Sequence, residues 1–188
     1  MLWVMDEMPA RSSASRRPAS ALACAAAVLG ALYAAVSAYW GAGGTGLLDT
    51  IGGTLEREGR AHTAGLLAVV WATVALKFTA SAIGLLAIAQ PQWLSPNRCR
   101  IVRGAAWMAA VVLVIYGGVL TLTGLLAQAD IVHASTHADH KALRWHAVLW
   151  DPWFLAWGPL LAAALTLTRR APTSVGDVGP VSPSHAKT

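Results

Sequence analysis

The chain has 188 residues, of which 12% are charged and 56% hydrophobic, and its mean hydropathy is +0.53. An average soluble domain carries about 25% charged residues, and a chain this short cannot hide so much apolar surface from water. A soluble enzyme, a disordered regulator and a secreted disulfide module are therefore poor readings, and the formal net charge of +5 belongs to the flanks of membrane spans rather than to nucleic-acid binding.

Residues 1–18 carry Arg11, Arg16 and Arg17 in a mixed, Ser-rich context, which reads as a disordered arm. The first apolar segment is residues 19–40. Its basic flank and Val36-Ser37-Ala38 resemble a cleavable signal, but the apolar run is longer than a signal's, so it is expected to stay as a span. Gly41, Gly43, Gly44 and Gly46 follow. The string matches GxGxxG, yet a membrane span precedes it instead of a strand, so it reads as a sharp turn at the interface. Leu47, Leu48, Ile51 and Leu55 then fit one face of a short interfacial helix, with Asp49, Glu56 and Glu58 toward water.

The second segment, residues 61–89, contains Lys77 near its centre. A lysine there costs about 2.5–3.5 kcal/mol on the insertion scale. Eleven Leu, Ile, Val and Phe residues in the segment return roughly 3–6 kcal/mol, so the helix still inserts but its lysine needs a partner. Thr73 and Ser81 lie one turn to either side, and Gly84 follows. That polar, small stripe belongs at a helix–helix contact. The partners within reach are Tyr116 on the third segment, Tyr33 or Ser37 on the first, and the Leu155 carbonyl, which Pro159 deprives of its helical donor. An intramembrane ionisable group marks a functional site by default; the competing reading is a lysine that snorkels or fixes packing.

Pro91, Pro96 and Asn97 mark a short loop before the third segment, residues 104–127. A polar stretch follows that holds Asp130, His133, His137, Asp139, His140 and His146. His133, His137 and His140 recur at helical spacing, workable for Zn or Cu, although no HExxH or CxxC accompanies them and a hydrated loop explains them too. Cys24 and Cys99 lack redox spacing and read as inert thiols. Asp151-Pro152 is a good helix start, with the carboxylate as cap, and opens the fourth segment, residues 152–168. Trp150, Trp153 and Trp157 with Phe154 read as an interfacial aromatic belt, or as a quinone, lipid or cation pocket. Residues 169–188 are rich in Pro, Ser and Gly and read as a disordered tail. None of the four segments alternates with period two, which excludes a membrane barrel.

Orientation follows from the basic residues. Arg11, Arg16, Arg17, Arg98, Arg100, Arg103, Arg169, Arg170 and Lys187 fall on one side, against Arg57, Arg60, Lys141 and Arg144 on the other. The asymmetry puts both termini in the cytoplasm. The expected fold is all-α, a four-helix transmembrane bundle.

Three strings carry a resemblance. They are Tyr39-Trp40 with Gly43-Gly44-Thr45 and Leu47-Leu48-Asp49-Thr50; Ala75-Leu76-Lys77; and Ala142-Leu143-Arg144-Trp145-His146 with Leu149-Trp150-Asp151-Pro152-Trp153-Phe154-Leu155. Together they resemble a bacterial family of small four-span membrane proteins classed as a domain of unknown function, over roughly residues 33–167. The resemblance implies four helices and membrane residence, and no activity.

The resulting expectation is a multi-pass protein of the bacterial inner membrane that binds or passes a small polar or anionic ligand. Its site residues are Lys77, Thr73, Ser81, Tyr116 and Asp151. One alternative is a non-catalytic accessory or scaffold protein acting through its external loops. Another is an external metal-binding protein using His133, His137 and His140. No span holds a nucleophile–base pair or a carboxylate dyad, so catalysis is not expected, nor is a cofactor. The expected partners are the lipid bilayer and a second copy or another membrane protein, with no nucleic acid.

Overall fold

A computed structural model describes residues 16–129, 131 and 139–168, and among them every regular element is helical. Helix α1 runs Arg16–Gly41, a single 3₁₀ turn covers Leu48–Thr50, and α2 is Gly53–Arg60. Helices α3 and α4 are Ala64–Ala89 and Pro96–Gln128. Helix α5, His140–Trp145, passes through a π-helical turn, His146–Trp150, straight into α6, Asp151–Leu167. Four stretches are long and apolar enough to cross a membrane: Pro18–Gly41, Ala64–Ala89, Pro96–Gln128 and His140–Leu167.

Several boundaries differ from the sequence expectation. Helix α3 begins at Ala64 rather than at residue 61, because His62 is left-handed (φ 49°) and Thr63 is extended, which ends one helix and re-aims the next. Helix α4 starts at Pro96, well before residue 104. Proline suits the first turn, and Arg98, Arg100 and Arg103 are good helix formers. The loop after α1 is a 3₁₀ turn and a short helix, not one amphipathic helix. Gly52 and Gly53 separate them with φ of 68° and 65°. Leu48 is buried there, whereas Leu47 and Leu55 are exposed.

The largest correction is at Asp151. It is the first residue of α6, but its carboxylate caps no free helix end, because the rod arrives there already helical. Its backbone N–H donates to His146 O, five residues back. Pro152 has no N–H to give Val148 O, and its ring crowds that carbonyl. One wider turn absorbs the misfit and lets the rod continue. The start lies at Asp139, whose Oδ1 accepts from the N–H groups of Lys141 (2.9 Å) and Ala142 (3.2 Å).

The helices pack through small residues. Buried Ala19, Ala23, Ala26, Tyr33 and Ser37 form one stripe of α1; Ala106, Ala110, Gly117, Thr121 and Gly124 form one stripe of α4. Helix α1 lies against α3 and α6, and α4 lies against α6. Lipid is as apolar as leucine, so such contacts rest on close van der Waals packing instead of on expulsion of water. The α4–α6 seam shows how close they come: a Cβ on Gly117 would lie 2.4 Å from Leu155 N, and one on Gly158 would lie 2.9 Å from Val114 N. Trp157, Leu161 and Leu165 fill the centre beside Ala26, Ala87, Ala106 and Ala110. At the end of this core the Arg103 guanidinium donates to Thr168 Oγ1 (3.1 Å) and to the Leu165 carbonyl, capping the last turn of α6.

Candidate functional site

Lys77 sits at the middle of α3 and points at α1. Its Nζ donates to Ser37 Oγ at 2.7 Å and stands over the Tyr33 ring, 3.8 Å from the centroid. Ser37 in turn donates to Tyr33 O, one turn back on α1 (3.3 Å). No carboxylate of the described residues pairs with the lysine; the ion pairs there are Arg60–Glu56, Lys141–Asp49 and His146–Asp151. The lysine does not snorkel. A ring face and a hydroxyl hold it at mid-helix, an arrangement that lets a cation persist away from water.

Tyr33 organises the rest. It is 7% exposed. Trp150 and Trp153 stack on it at 5.8 and 5.4 Å, and Phe154 tilts onto it at 4.7 Å. The π turn and Pro152 set the rotation that brings these three side chains of one rod to a single tyrosine. Trp153 Nε1 donates to Leu29 O (3.0 Å), which fixes its indole against α1.

The other expected site residues divide. Thr73 Oγ1 donates to Val70 O, and Ser81 Oγ donates to the Lys77 carbonyl, so both serve their own helix. Ser81 also packs on Gly30, where a Cβ would come within 2.1 Å of its Oγ. Tyr116 is half exposed and meets the edge of Phe154 at 5.2 Å instead of reaching Lys77. Asp151 is buried, and its Oδ1 lies 3.4 Å from His146 Nδ1, not beside the lysine. The Leu155 carbonyl is not a partner of Lys77 either. His140 lines an open depression of about 470 Å³ with Lys141, Arg144, Trp145 and Val148, while His133 and His137 lie outside the described residues.

The tryptophans of the rod are not an interfacial belt: Trp150 and Trp157 are 2% and 1% exposed. Among the described residues, Trp71, Trp93 and Trp145 are the exposed tryptophans. Trp150 is buried because the loop after α1 covers it. Its Nε1 donates to Thr50 Oγ1 (3.1 Å), and Trp40 meets it edge-on at 5.5 Å. Trp40 Nε1 donates to Gly46 O, and the Gly46 N–H donates to Tyr39 Oη. Gly52 then rests on α5, with room for no Cβ between it and Ala142 (2.5 Å). At the rim the Lys141 ammonium hydrogen-bonds Asp49 and holds its carboxyl below the usual carboxylate range.

Sequence reasoning missed this latch and the Arg103 cap. The two strings that meet in the latch, Leu47-Leu48-Asp49-Thr50 and Leu149-Trp150-Asp151-Pro152, were visible separately. Their pairing across 100 residues was not.

A helical chain whose described residues include four stretches long and apolar enough to cross a membrane has the architecture of a multi-pass membrane protein. Residues 29–161 match the family described as Protein of unknown function (DUF3995), and the chain belongs to that family. No curated protein and no solved structure matches the chain.

Proposed function

We propose that this is a non-catalytic protein of the cell membrane, a four-helix bundle with both termini cytoplasmic, that binds or passes a small anionic or hydrogen-bond-accepting ligand at Lys77. One observation carries the reading. Among the described residues, a lysine placed at mid-span has a hydroxyl and an aromatic face as its partners and no carboxylate. An ammonium has three N–H donors, and neither Ser37 nor Tyr33 neutralises its charge. A ligand oxygen supplies what the described residues do not.

The test uses benzoate as a small-anion probe on the purified protein in nanodiscs, read by saturation-transfer NMR. The wild type and Lys77→Arg are expected to bind, and Lys77→Met to lose about tenfold in affinity or more, the scale of a hydrogen bond to a charged group. Equal binding by Lys77→Met removes the proposal.

A second reading has its own observation. The depression formed by His140, Lys141, Arg144, Trp145 and Val148 presents basic and apolar groups beside the latch. It supports an accessory role, with another membrane protein or a second copy docked on the loop side. Photocrosslinking from position 148 in intact membranes separates this from the first reading. A discrete adduct that survives Lys77→Met favours docking.

A further inference from the structure

Tyr33 has an unusual hydroxyl. Its ring is buried and its Oη makes no hydrogen bond among the described residues, yet that oxygen is not sealed inside the protein: the fully buried side-chain oxygen left without a partner there is Thr121 Oγ1. The Tyr116 hydroxyl is also without one. Both rings pack on the same Phe154, at 4.7 and 5.2 Å, and Lys77 Nζ lies over Tyr33. Two phenols share the Phe154 ring and one ammonium stands over the first of them, and among the described residues no carboxylate pairs with the lysine. In hydrocarbon an unsatisfied O–H has no water to turn to.

The direction of approach is also on the structure. The loop side is covered, because Thr50 holds Trp150 and Trp40 lies across it. The contact between α3 and α4 is less extensive than those of α1 with α3 and α6 and of α4 with α6. Tyr116 stands on the edge of the packed face of α4: Gly117 beside it is buried against Phe154, and Val102, Ala109 and Leu113 precede it along that edge at helical spacing. A molecule already dissolved in the bilayer reaches this flank without crossing the latch.

We infer that the ligand is a lipophilic molecule with an oxygen-acceptor head, a carboxylate or a quinone-type carbonyl, entering sideways between α3 and α4 to meet Lys77, Tyr33 and Tyr116. The inference rests on the Lys77 reading and narrows it. Three donors, with the buried Asp151 carboxylate near Tyr33 turned to His146 (3.4 Å), select an acceptor head over a cation. The aromatic wall of Phe154 and Trp153 and the bilayer-facing route select an apolar body over a freely water-soluble ion.

The experiment measures equilibrium binding of radiolabelled oleate and of a decyl-substituted benzoquinone to the full chain in phosphatidylcholine nanodiscs, with benzoate as a third arm. Binding of oleate, of the quinone or of both is expected to fall about tenfold in Lys77→Met and about fivefold in Tyr33→Phe, the loss of one hydrogen bond each. Lys77→Arg is expected to retain it. Tyr33→Phe keeps the ring that stacks with Trp150 and Trp153, so it tests the hydroxyl alone. Oleate dependence assigns a carboxylate head and quinone dependence a carbonyl head. Lys77-dependent benzoate binding without either lipophilic ligand overturns this inference and leaves the small-ligand reading standing. Absence of all three overturns both, as does lipophilic binding that neither substitution changes.

Discussion

The two halves of the helices are built differently. In the half nearer the chain ends, the core consists of Ala26, Ala87, Ala106, Ala110, Trp157, Leu161 and Leu165. Its one buried hydroxyl among the described residues, Ser81, is satisfied by its own helix through the Lys77 carbonyl, and Arg103 closes its end on Thr168 Oγ1 and the Leu165 carbonyl. In the half nearer the Gly41–Arg60 loop, the buried set includes Tyr33, Ser37, Thr50, Thr121, Trp150 and Asp151, with Lys77 beside them. The first half is complete in itself, with small residues on one helix matching large ones on another. The second holds polar groups whose hydrogen-bonding capacity the described residues do not fill. Packing density secures the one half, and unused capacity gives the other something to do.

The largest expected effect comes from breaking the complete half. Gly158→Leu would drive a side chain into Val114 N and Ala110 O, at 2.9 and 3.0 Å from its Cβ. Backbone cannot yield as a flexible side chain can, so a loss of about 3 kcal/mol or more is expected, the upper end for overpacking. Thermal unfolding in detergent should show it as a large fall in Tm. A normal Tm would mean that α4 and α6 are not in this register.

A smaller effect of opposite sign sharpens the comparison. Thr121 Oγ1 is buried without a partner, whereas Thr73, Thr123 and Thr166 bond back to their own helices. Thr121→Val removes the orphan hydroxyl at nearly constant volume. It should be neutral or stabilise by up to about 1 kcal/mol in the same unfolding measurement. Clear destabilisation would show that the hydroxyl has a partner in the membrane.

The smallest effect concerns the latch. Lys141 holds the Asp49 carboxyl below its ordinary range. A group with a depressed folded pKa stabilises above its unfolded value, and the contribution is lost as pH falls through the folded one. Hydrogen exchange at residues 47–52 should therefore stay slow, after correction for intrinsic rates, down to pH about 4, and quicken below that. Asp49→Asn should abolish this acid step. Because the pair is exposed, the change should be confined to the loop.

The sequence by itself determined the helical class, the four membrane-length stretches and the lysine as the lone charge in the middle of one of them. These follow from composition and from the length of hydrocarbon a helix must cross, properties that need no neighbour. It also placed Tyr33 and Ser37 among the lysine's candidate partners, through depth alone. Depth could not choose between them and Tyr116 or the Leu155 carbonyl, because that depends on the rotation of each helix about its axis. Only the tertiary structure decided it. The π turn before Pro152 rotates Trp150, Trp153 and Phe154 onto Tyr33 and turns Asp151 toward His146. The loop then buries Trp150 beneath Thr50, against the expectation of an interfacial belt. Rotation and long-range pairing arise from surfaces meeting, and one helix read along its own sequence does not contain the surface it will meet.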